Sequence, residues 1–333
     1  MKWQLFAVFL FFSNVSEAQV SVRKYVMQIL RIYSPQHAQM LQKYYKTNSI
    51  VKLPSASINI GRHLDFMVYF TDTTHRDVTI HDIPLMIHDM YHDYTRRQAY
   101  NFLEKNPERF EVGKEYIMYY FDADKEIFTE IYSSFPANEI ASVVPSSLKQ
   151  ERYKTFVLSN KPDVLPQKWG LYGLLDEWNA FYHQTRSAFE IKRFYERETY
   201  QNAKHWEGFF ANYYDSYHAH LEFKYFTLKY LQYAKYKHTQ FFEKIMQNQE
   251  IKQVYQEIDG HYETLLNDFN TYKPLVVKFL ADKEILVSEE VINGSKVMFL
   301  QGVGIETNNH LFELYQKALE DEELRMIDFQ LRN

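Results

Sequence analysis

Three long segments without proline fill the middle of the chain and restrict its fold more than any other feature. They span residues 171–200, 206–236 and 249–270, and apolar side chains recur in them at intervals of three and four residues. This spacing predicts amphipathic helices, and short connections between long helices predict antiparallel neighbours. We therefore expect a mainly α fold, an antiparallel bundle of long helices with small β-hairpins. The class would be α+β if the hairpins pair into a sheet.

Cap residues close to a proline indicate further helices on the N-terminal side. Ser34 and Pro35 predict an N-cap followed by a first helical turn, and Asp82 with Pro84 repeats the pattern. Near the C-terminus, Asn308 or its neighbour is expected to cap a final helix. The helices predicted outside the middle third span residues 22–32, 34–46, 82–105 and 311–323.

Two segments have the composition of β-hairpins. Residues 114–121 and 126–132 are rich in β-branched and aromatic side chains on either side of a polar connection, although two short helices are an alternative. Within 285–300, Asn293-Gly294 tolerates the positive φ of a type I′ turn and predicts a second hairpin. The remaining stretches are expected to be loops, with a short strand at 66–70 inside the loop 48–79 and a short element at 151–158.

The first eighteen residues have the pattern of a secretory signal peptide. Lys2 precedes an apolar run over 3–12, and small residues stand three and one positions before Gln19. This predicts export from a bacterial cell, to the periplasm or beyond, with cleavage after Ala18. An uncleaved anchor is the alternative, but a membrane span needs about 20 apolar residues.

Prolines around Pro166 suggest a boundary between a region 19–165 and a region 166–333, although one compact domain is also compatible with the sequence. The net charge of −5 lacks the basic surplus of nucleic-acid-binding proteins. We therefore expect no nucleic-acid partner. The chain also has no amphipathic basic helix, so we expect no stable membrane insertion. With no cysteine, an exported chain of this length must rely on its hydrophobic core instead of disulfides.

Aromatic residues are unusually abundant, with 28 Tyr and 26 Phe. A tyrosine can bury its ring while its hydroxyl reaches water or a partner at the edge of the core. This composition favours a wide helical core. The alternative is a surface with stacking platforms for sugars or peptides.

His88 and His92 lie one turn apart on a predicted helix. Two imidazoles at this spacing can chelate one divalent cation such as Zn, Fe or Mn, provided that further ligands come from elsewhere. The alternative is a pair of imidazoles at the edge of the core that are hydrogen-bonded to Asp and Tyr.

A second set of candidate metal ligands lies on the predicted 206–236 helix. Asp215, His218 and Glu222 follow at intervals of three and four and share a face. The arrangements Asp89-x-x-His92 and Asp215-x-x-His218 resemble the Glu-x-x-His element of di-iron carboxylate bundles, with Asp in place of Glu. The resemblance is limited to these four residues. The alternative is a salt-bridged network between helices.

Further acids open the first long helix. Asp176 and Glu177 come early in it, and His183 and Glu190 share a face further along. Paired carboxylates could hydrolyse a glycoside if they were about 5 to 9.5 Å apart across a cleft, which sequence spacing does not determine. The alternative is a solvated helix face.

Several catalytic motifs are absent from the sequence. It contains no His-Glu-x-x-His, no Gly-x-Ser-x-Gly, no glycine-rich phosphate loop and no cysteine. We expect a ligand- or partner-binding protein of the cell envelope, whose ligand is a small molecule, a glycan or a protein. The alternative is a metal-dependent hydrolase with a His/Asp/Glu site between helices. Convergence of the candidate ligands on one cavity would favour the hydrolase.

Overall fold

The computed structural model describes residues 22–72, 76–150, 152–198 and 203–333. Within these ranges the chain is 66% helical, with 12 helices and three small antiparallel sheets. The mainly α class is confirmed, and the hairpins of the described chain do not join into one sheet. The predicted signal peptide, residues 1–18, lies outside the described residues.

The helices are α1 (22–33), α2 (Pro35–Tyr45), α3 (Arg76–Lys105), α4 (Leu165–Trp169), α5 (Leu171–Glu190), α6 (Lys192–Glu198), α7 (Ala203–Ser216), α8 (Ala219–Lys237), α9 (Thr239–Gln247), α10 (Gln249–Ala281), α11 (Asn309–Ala318) and α12 (Glu322–Arg332). The strands are β1 (Ile50–Leu53), β2 (Ala56–Asn59), β3 (Glu115–Tyr120), β4 (Glu126–Ile131), β5 (Val287–Ile292), β6 (Ser295–Leu300) and β7 (Val303–Glu306). They pair as β1-β2, β3-β4 and β5-β6-β7. Short 3₁₀ helices span Phe66–Tyr69, Pro107–Arg109, Ala137–Ser142 and Ser146–Leu148, and a π-helical turn spans Tyr153–Val157.

Helix α5 lies at the centre of the molecule. It packs against α3, α4, α7, α8 and α10, and all of its residues except Arg186 and Glu190 are buried. A continuous apolar core surrounds it and takes side chains from both sides of Pro166. Most of the tyrosines and phenylalanines with described side chains are buried in this core or partly buried against it. The division into two regions at this proline stays a prediction.

The middle third contains more helices than the sequence predicted. The expected helix 206–236 is interrupted between α7 and α8, because groups from other elements bond its carbonyls at that point. Arg152 donates to the carbonyl of Asp215 at 2.5 Å, and the hydroxyl of Tyr262 donates to that of Ser216 at 3.0 Å. The expected helix 171–200 is likewise divided into α5 and α6, and the expected helix 249–270 continues through Pro274 to Ala281.

Two predicted N-caps have other roles. Asp82 lies inside α3, and its carboxylate accepts hydrogen bonds from the backbone and hydroxyl of Thr71, each at 2.8 Å. Pro84 is therefore also inside this helix, which ends at Lys105 as predicted. Ser34 does occupy the N-cap position of α2, but its hydroxyl donates to the Glu190 carboxylate at 2.5 Å instead of capping.

The predicted hairpins at 114–132 and 285–300 are confirmed as β3-β4 and β5-β6. The hairpin β1-β2 and the third strand β7 were not predicted. The predicted strand at 66–70 is wrong, because Asp65 accepts a hydrogen bond from the backbone of Met67 and starts a 3₁₀ helix. The helix predicted at 311–323 ends at Ala318, and Asp321 caps a separate helix, α12. Among the described helices, none combines the length and the apolar character that crossing a bilayer requires.

Candidate metal centre

His88 and His92 project from α3 towards the first half of α5, where they meet Asp176 and Glu177. The two helices pack directly against each other. Both acids are buried because α5 is enclosed on all sides, with Asp176 completely inaccessible and Glu177 5% exposed. The sequence predicted that the two histidines share one face of a helix. In the structure, two carboxylates of α5 lie opposite that face.

Three potential ligand atoms form a compact triangle. The Nε2 atoms of His88 and His92 are 3.2 Å apart, and they lie 3.7 and 3.4 Å from Oε2 of Glu177. A point equidistant from three atoms at these separations lies about 2.0 Å from each, which matches the Zn–N and Zn–O bond lengths of protein sites. Glu177 Oε2 and His88 Nδ1 are buried without a hydrogen-bond partner. The triangle therefore has the dimensions of three ligands around one divalent cation.

Asp176 holds the imidazole of His92 from behind. Its Oδ2 atom lies 2.7 Å from Nδ1 of His92, so that the imidazole donates to the carboxylate and directs Nε2 at the triangle. A carboxylate that fixes the far nitrogen of a histidine ligand is a common feature of metal sites, where it sets the tautomer and increases the basicity of the ligand.

The charged groups of this place shift one another's pKa. Burial disfavours the imidazolium of His92, but Glu177 and Asp176 outweigh it and raise its pKa well above the ordinary value. Burial also opposes ionisation of Glu177, yet the two histidines lower its pKa to about 2. Burial raises the pKa of Asp176, although His92 opposes this shift. The two buried acids thus depend on a positive charge beside them.

His92 is the most exposed member of the triangle. Its side chain is 20% exposed, against 9% for His88 and 7% for Glu177. The ring of Phe181 lies beside His88 at a centroid distance of 4.5 Å. Three protein ligands are the number that catalytic metal sites use, with water or substrate as the fourth ligand.

The other three predicted ligands belong to a separate cluster around Arg152. Its guanidinium contacts His218, lies 3.4 Å from Glu222 and donates to the backbone carbonyl of Asp215. The arginine also lies over the ring of Phe181, at 4.5 Å from its centroid. The five predicted ligands therefore form two clusters that meet at Phe181. Of the five, His88 and His92 belong to the triangle.

In the Arg152 cluster, the guanidinium already forms an ion pair with the Glu222 carboxylate. Burial raises the pKa of the Glu222 carboxyl, although Arg152 and the hydroxyl of Tyr315 oppose this shift. Burial and the neighbouring guanidinium both lower the pKa of His218. The predicted roles of Asp215, His218 and Glu222 as metal ligands stay predictions, and an arginine among them makes a cation less favourable here than at His88.

A further triad, His220, Asp259 and Glu263, also has ligand atoms within 4.8 Å of one another. Lys224 lies 3.0 Å from Asp259, and Arg332 contacts the same carboxylate. Two protein cations thus neutralise the central acid. We regard this triad as part of a salt-bridge network around the buried Asp259.

The acids considered for glycoside hydrolysis face different partners. Asp176 and Glu177 belong to the triangle described above. Glu190 accepts hydrogen bonds from Ser34, Gln36 and Arg186, and the Nδ1 of His183 lies 3.0 Å from Nε2 of His37. These contacts engage the Glu190 carboxylate within the protein, and the role of the acids in glycoside hydrolysis stays a prediction.

Searches of protein families, curated proteins and solved structures found no match to this chain. Its chemistry is therefore inferred from the geometry of the site.

Sequence reasoning named Asp176 and Glu177 only as possible paired carboxylates and did not connect them with His88 and His92. The available sign was an Asp-Glu pair in an otherwise apolar turn, Leu174-Leu175-Asp176-Glu177-Trp178. Buried acids in such a context are almost always paired with a cation or coordinate a metal.

Proposed function

We propose that His88, His92 and Glu177 bind one divalent metal ion, Zn, Fe or Mn, with Asp176 orienting His92. The observation that carries this proposal is the triangle of ligand atoms, with sides of 3.2, 3.4 and 3.7 Å. Two histidines and one carboxylate are a ligand set used by zinc hydrolases and by non-haem iron enzymes.

We propose metal-dependent hydrolysis as the activity of this site. The five predicted ligands do not all converge there, so the support comes from the triangle, in which Glu177 joins His88 and His92. A metal ion with an open position lowers the pKa of a bound water to about 7 and so supplies hydroxide at neutral pH. No group in the site is a nucleophile of the serine or cysteine type.

We also propose that the protein is exported and that the signal peptide is cleaved after Ala18. The basis is the sequence of residues 1–18, with its single Lys2 and its apolar run. N-terminal sequencing of the protein from its native host should begin at Gln19 or within a few residues of it. An intact Met1 on the recovered protein would contradict the proposal.

Binding of a ligand or partner in the envelope is the second candidate function. The observation that favours it is a charged groove between α5 and α10, lined by Arg186 and Asp268 among others. This function does not require a metal, so it can be tested separately.

Hydrolysis can be tested with metal-reconstituted protein and two chromogenic substrates, 4-nitrophenyl acetate and bis(4-nitrophenyl) phosphate. We expect turnover of at least one substrate by the metal-loaded protein and none by the chelated protein. Glu177→Gln should abolish turnover. Glu222→Gln, which alters an equally buried acid in the Arg152 cluster, is the matched control and should retain it.

Two results would count against the hydrolase: equal rates before and after chelation, or equal rates for Glu177→Gln and the control. Tight metal binding without turnover of either substrate would leave a metal-binding protein and remove the enzymatic part of the proposal.

A further inference from the structure

We propose that the groove between α5 and α10 binds a small zwitterion of amino-acid to dipeptide size. The groove has a volume of about 390 Å³, within the range of small-molecule sites. Its lining includes two bases, three acids and two apolar side chains: Arg186, Lys192, Asp122, Glu190, Asp268, Phe189 and Leu265. This inference does not depend on the metal site.

One corner of the groove presents unused hydrogen-bonding groups that suit a carboxylate. Arg186 donates from Nε to Glu190 at 2.9 Å and from Nη1 to the hydroxyl of Tyr182 at 2.7 Å, but its Nη2 bonds to no described residue. The Tyr182 hydroxyl accepts that bond, and its own hydrogen has no acceptor among the described residues. His261 Nδ1 is buried without a partner, and its ring lies 5.7 Å from that of Tyr182. An arginine fork beside two further polar groups is well suited to a carboxylate.

The rest of the groove carries negative charge that a simple anion would meet unfavourably. Asp268 is exposed and has no ion-pair partner in the described part of the chain. Asp122 comes from the β3-β4 turn and accepts one backbone hydrogen bond from Asp124 at 2.8 Å. Both acids remain available to an ammonium group. These acids disfavour a simple anion and favour a ligand that carries an ammonium group.

Two of the remaining charged side chains have contacts within the protein. Glu190 directs its oxygens to Ser34, Gln36 and Arg186. Lys192 lies over the ring of Phe189, with its Nζ 3.5 Å from the centroid, and keeps a charge that interacts with Glu190 and Asp268. The charges that a ligand meets are thus one side of Arg186, the ammonium of Lys192 and the two aspartates. A ligand with one carboxylate and one ammonium complements charges of both signs, and the Leu265 side chain favours an apolar group between the two.

The groove and the metal triangle are distinct sites on the same helix. Glu177 and Arg186 are nine positions apart in α5, which places them about 13 Å apart along the helix axis. Ligand binding in the groove is therefore expected with and without metal. Failure of one proposal leaves the other testable.

Isothermal titration calorimetry of the full chain can test the charge requirement with four probes. L-Leucine and glycyl-leucine carry both charged groups, N-acetylleucine lacks the ammonium, and leucinamide lacks the carboxylate. We expect at least one of the two zwitterions to bind, and both blocked compounds to bind at least about tenfold more weakly.

Matched variants assign the two ends of the ligand. Asp268→Asn should weaken the zwitterion and leave N-acetylleucine unchanged, because only the ammonium contact is lost. Arg186→Lys keeps the charge beside Glu190 but loses the fork, so it should weaken the zwitterion and N-acetylleucine and leave leucinamide unchanged. Glu263→Gln changes an exposed acid of α10 outside the groove and should bind like the wild type. Circular dichroism of each variant checks that it is folded.

Three results would overturn the proposal. The first is no saturable heat with either zwitterion up to about 10 mM. The second is equal affinity for zwitterionic and blocked probes. The third is the same affinity in Asp268→Asn, Arg186→Lys and Glu263→Gln, all folded.

Discussion

Asp176→Asn tests whether the carboxylate behind His92 serves a bound metal. The carboxylate is fully buried, and its Oδ2 accepts from Nδ1 of His92 at 2.7 Å. Asparagine has nearly the same volume, and its side-chain oxygen can still accept this hydrogen bond. The substitution therefore retains the orientation of the imidazole and removes the negative charge that increases its basicity.

The expected loss of metal affinity is about tenfold, the lower end of the range of about 10 to 100-fold for such outer carboxylates. It corresponds to about 1.4 kcal/mol. At a metal concentration 100 times the wild-type dissociation constant, binding stabilises the fold by about 2.7 kcal/mol. The variant at that concentration would gain about 1.4 kcal/mol. A chain of 333 residues has an unfolding entropy of about 0.7 kcal/mol/K, so the metal-induced rise in Tm should be about 4 °C in the wild type and about 2 °C in the variant.

Competition with a chromogenic chelator measures the affinities, and differential scanning calorimetry with and without metal measures the two shifts. Glu222→Gln serves as the control, because it also neutralises a buried carboxylate but lies in the Arg152 cluster. It should leave metal affinity within twofold of the wild type. Equal affinity in wild type and Asp176→Asn would refute the assigned role of Asp176. A loss of affinity confined to Glu222→Gln would instead place the metal in the other cluster.

Three further predictions concern stability and can be checked by urea denaturation. Leu231→Ala should destabilise the protein by about 2 to 5 kcal/mol because the side chain is 1% exposed in the core, and a change below about 0.5 kcal/mol would show a surface position. Burial opposes ionisation of Glu190, but the imidazole of His37 and then the guanidinium of Arg186 lower its pKa to about 2. A depressed pKa stabilises the fold at pH values above the unfolded pKa near 4.5. Up to about 3 kcal/mol of unfolding free energy should therefore be lost as the pH falls from 4.5 towards 2. Glu190→Gln should lose less over that interval, and equal pH profiles of the two proteins would contradict this. Gly173→Ala places a Cβ against the backbone of Leu165 and should destabilise the protein by about 1 to 3 kcal/mol. Gly260→Ala has nothing within 4 Å of the new Cβ and should stabilise the protein by about 0.5 to 1 kcal/mol. The reverse order of stabilities would refute the close approach at Gly173.

Local turn and helix chemistry made several elements predictable. Asn293 and Gly294 both adopt positive φ, 51° and 84°, as a type I′ turn requires. The hairpin β5-β6 follows directly from that dipeptide. His88 and His92 share a helix face because residues four apart always do. These predictions depend on interactions within a few residues, which a sequence displays directly.

Contacts between distant segments decided the features that were missed. The break between α7 and α8 contains no glycine or proline, and it depends on Arg152 and Tyr262 reaching carbonyls of α7 from elsewhere. Asp82 has the sequence context of an N-cap, but Thr71 of the preceding loop binds its carboxylate. Competition between local and long-range hydrogen bonds cannot be read from spacing alone.

The candidate site also has a part that local spacing predicts and a part that depends on distant contacts. The spacing of His88 and His92 is local and could be seen in the sequence. Their carboxylate partners are Asp176, 84 positions after His92, and Glu177. Only the crossing of α3 over α5 brings them together. Glu222 illustrates the converse, since its spacing suggested a ligand but an arginine from a distant turn binds it.

Metal stoichiometry of the purified full chain tests the central claim most directly. Protein incubated separately with Zn, Fe(II) and Mn, then freed of unbound metal, can be analysed by inductively coupled plasma mass spectrometry beside Glu177→Gln and the double variant His88→Ala with His92→Ala. We predict one bound ion per wild-type chain for at least one metal, a strongly reduced content in Glu177→Gln, and none in the double variant, with helical circular dichroism retained. A wild-type chain that binds none of the three metals, or a folded double variant that keeps its metal, would contradict the assignment of His88, His92 and Glu177 as a metal site.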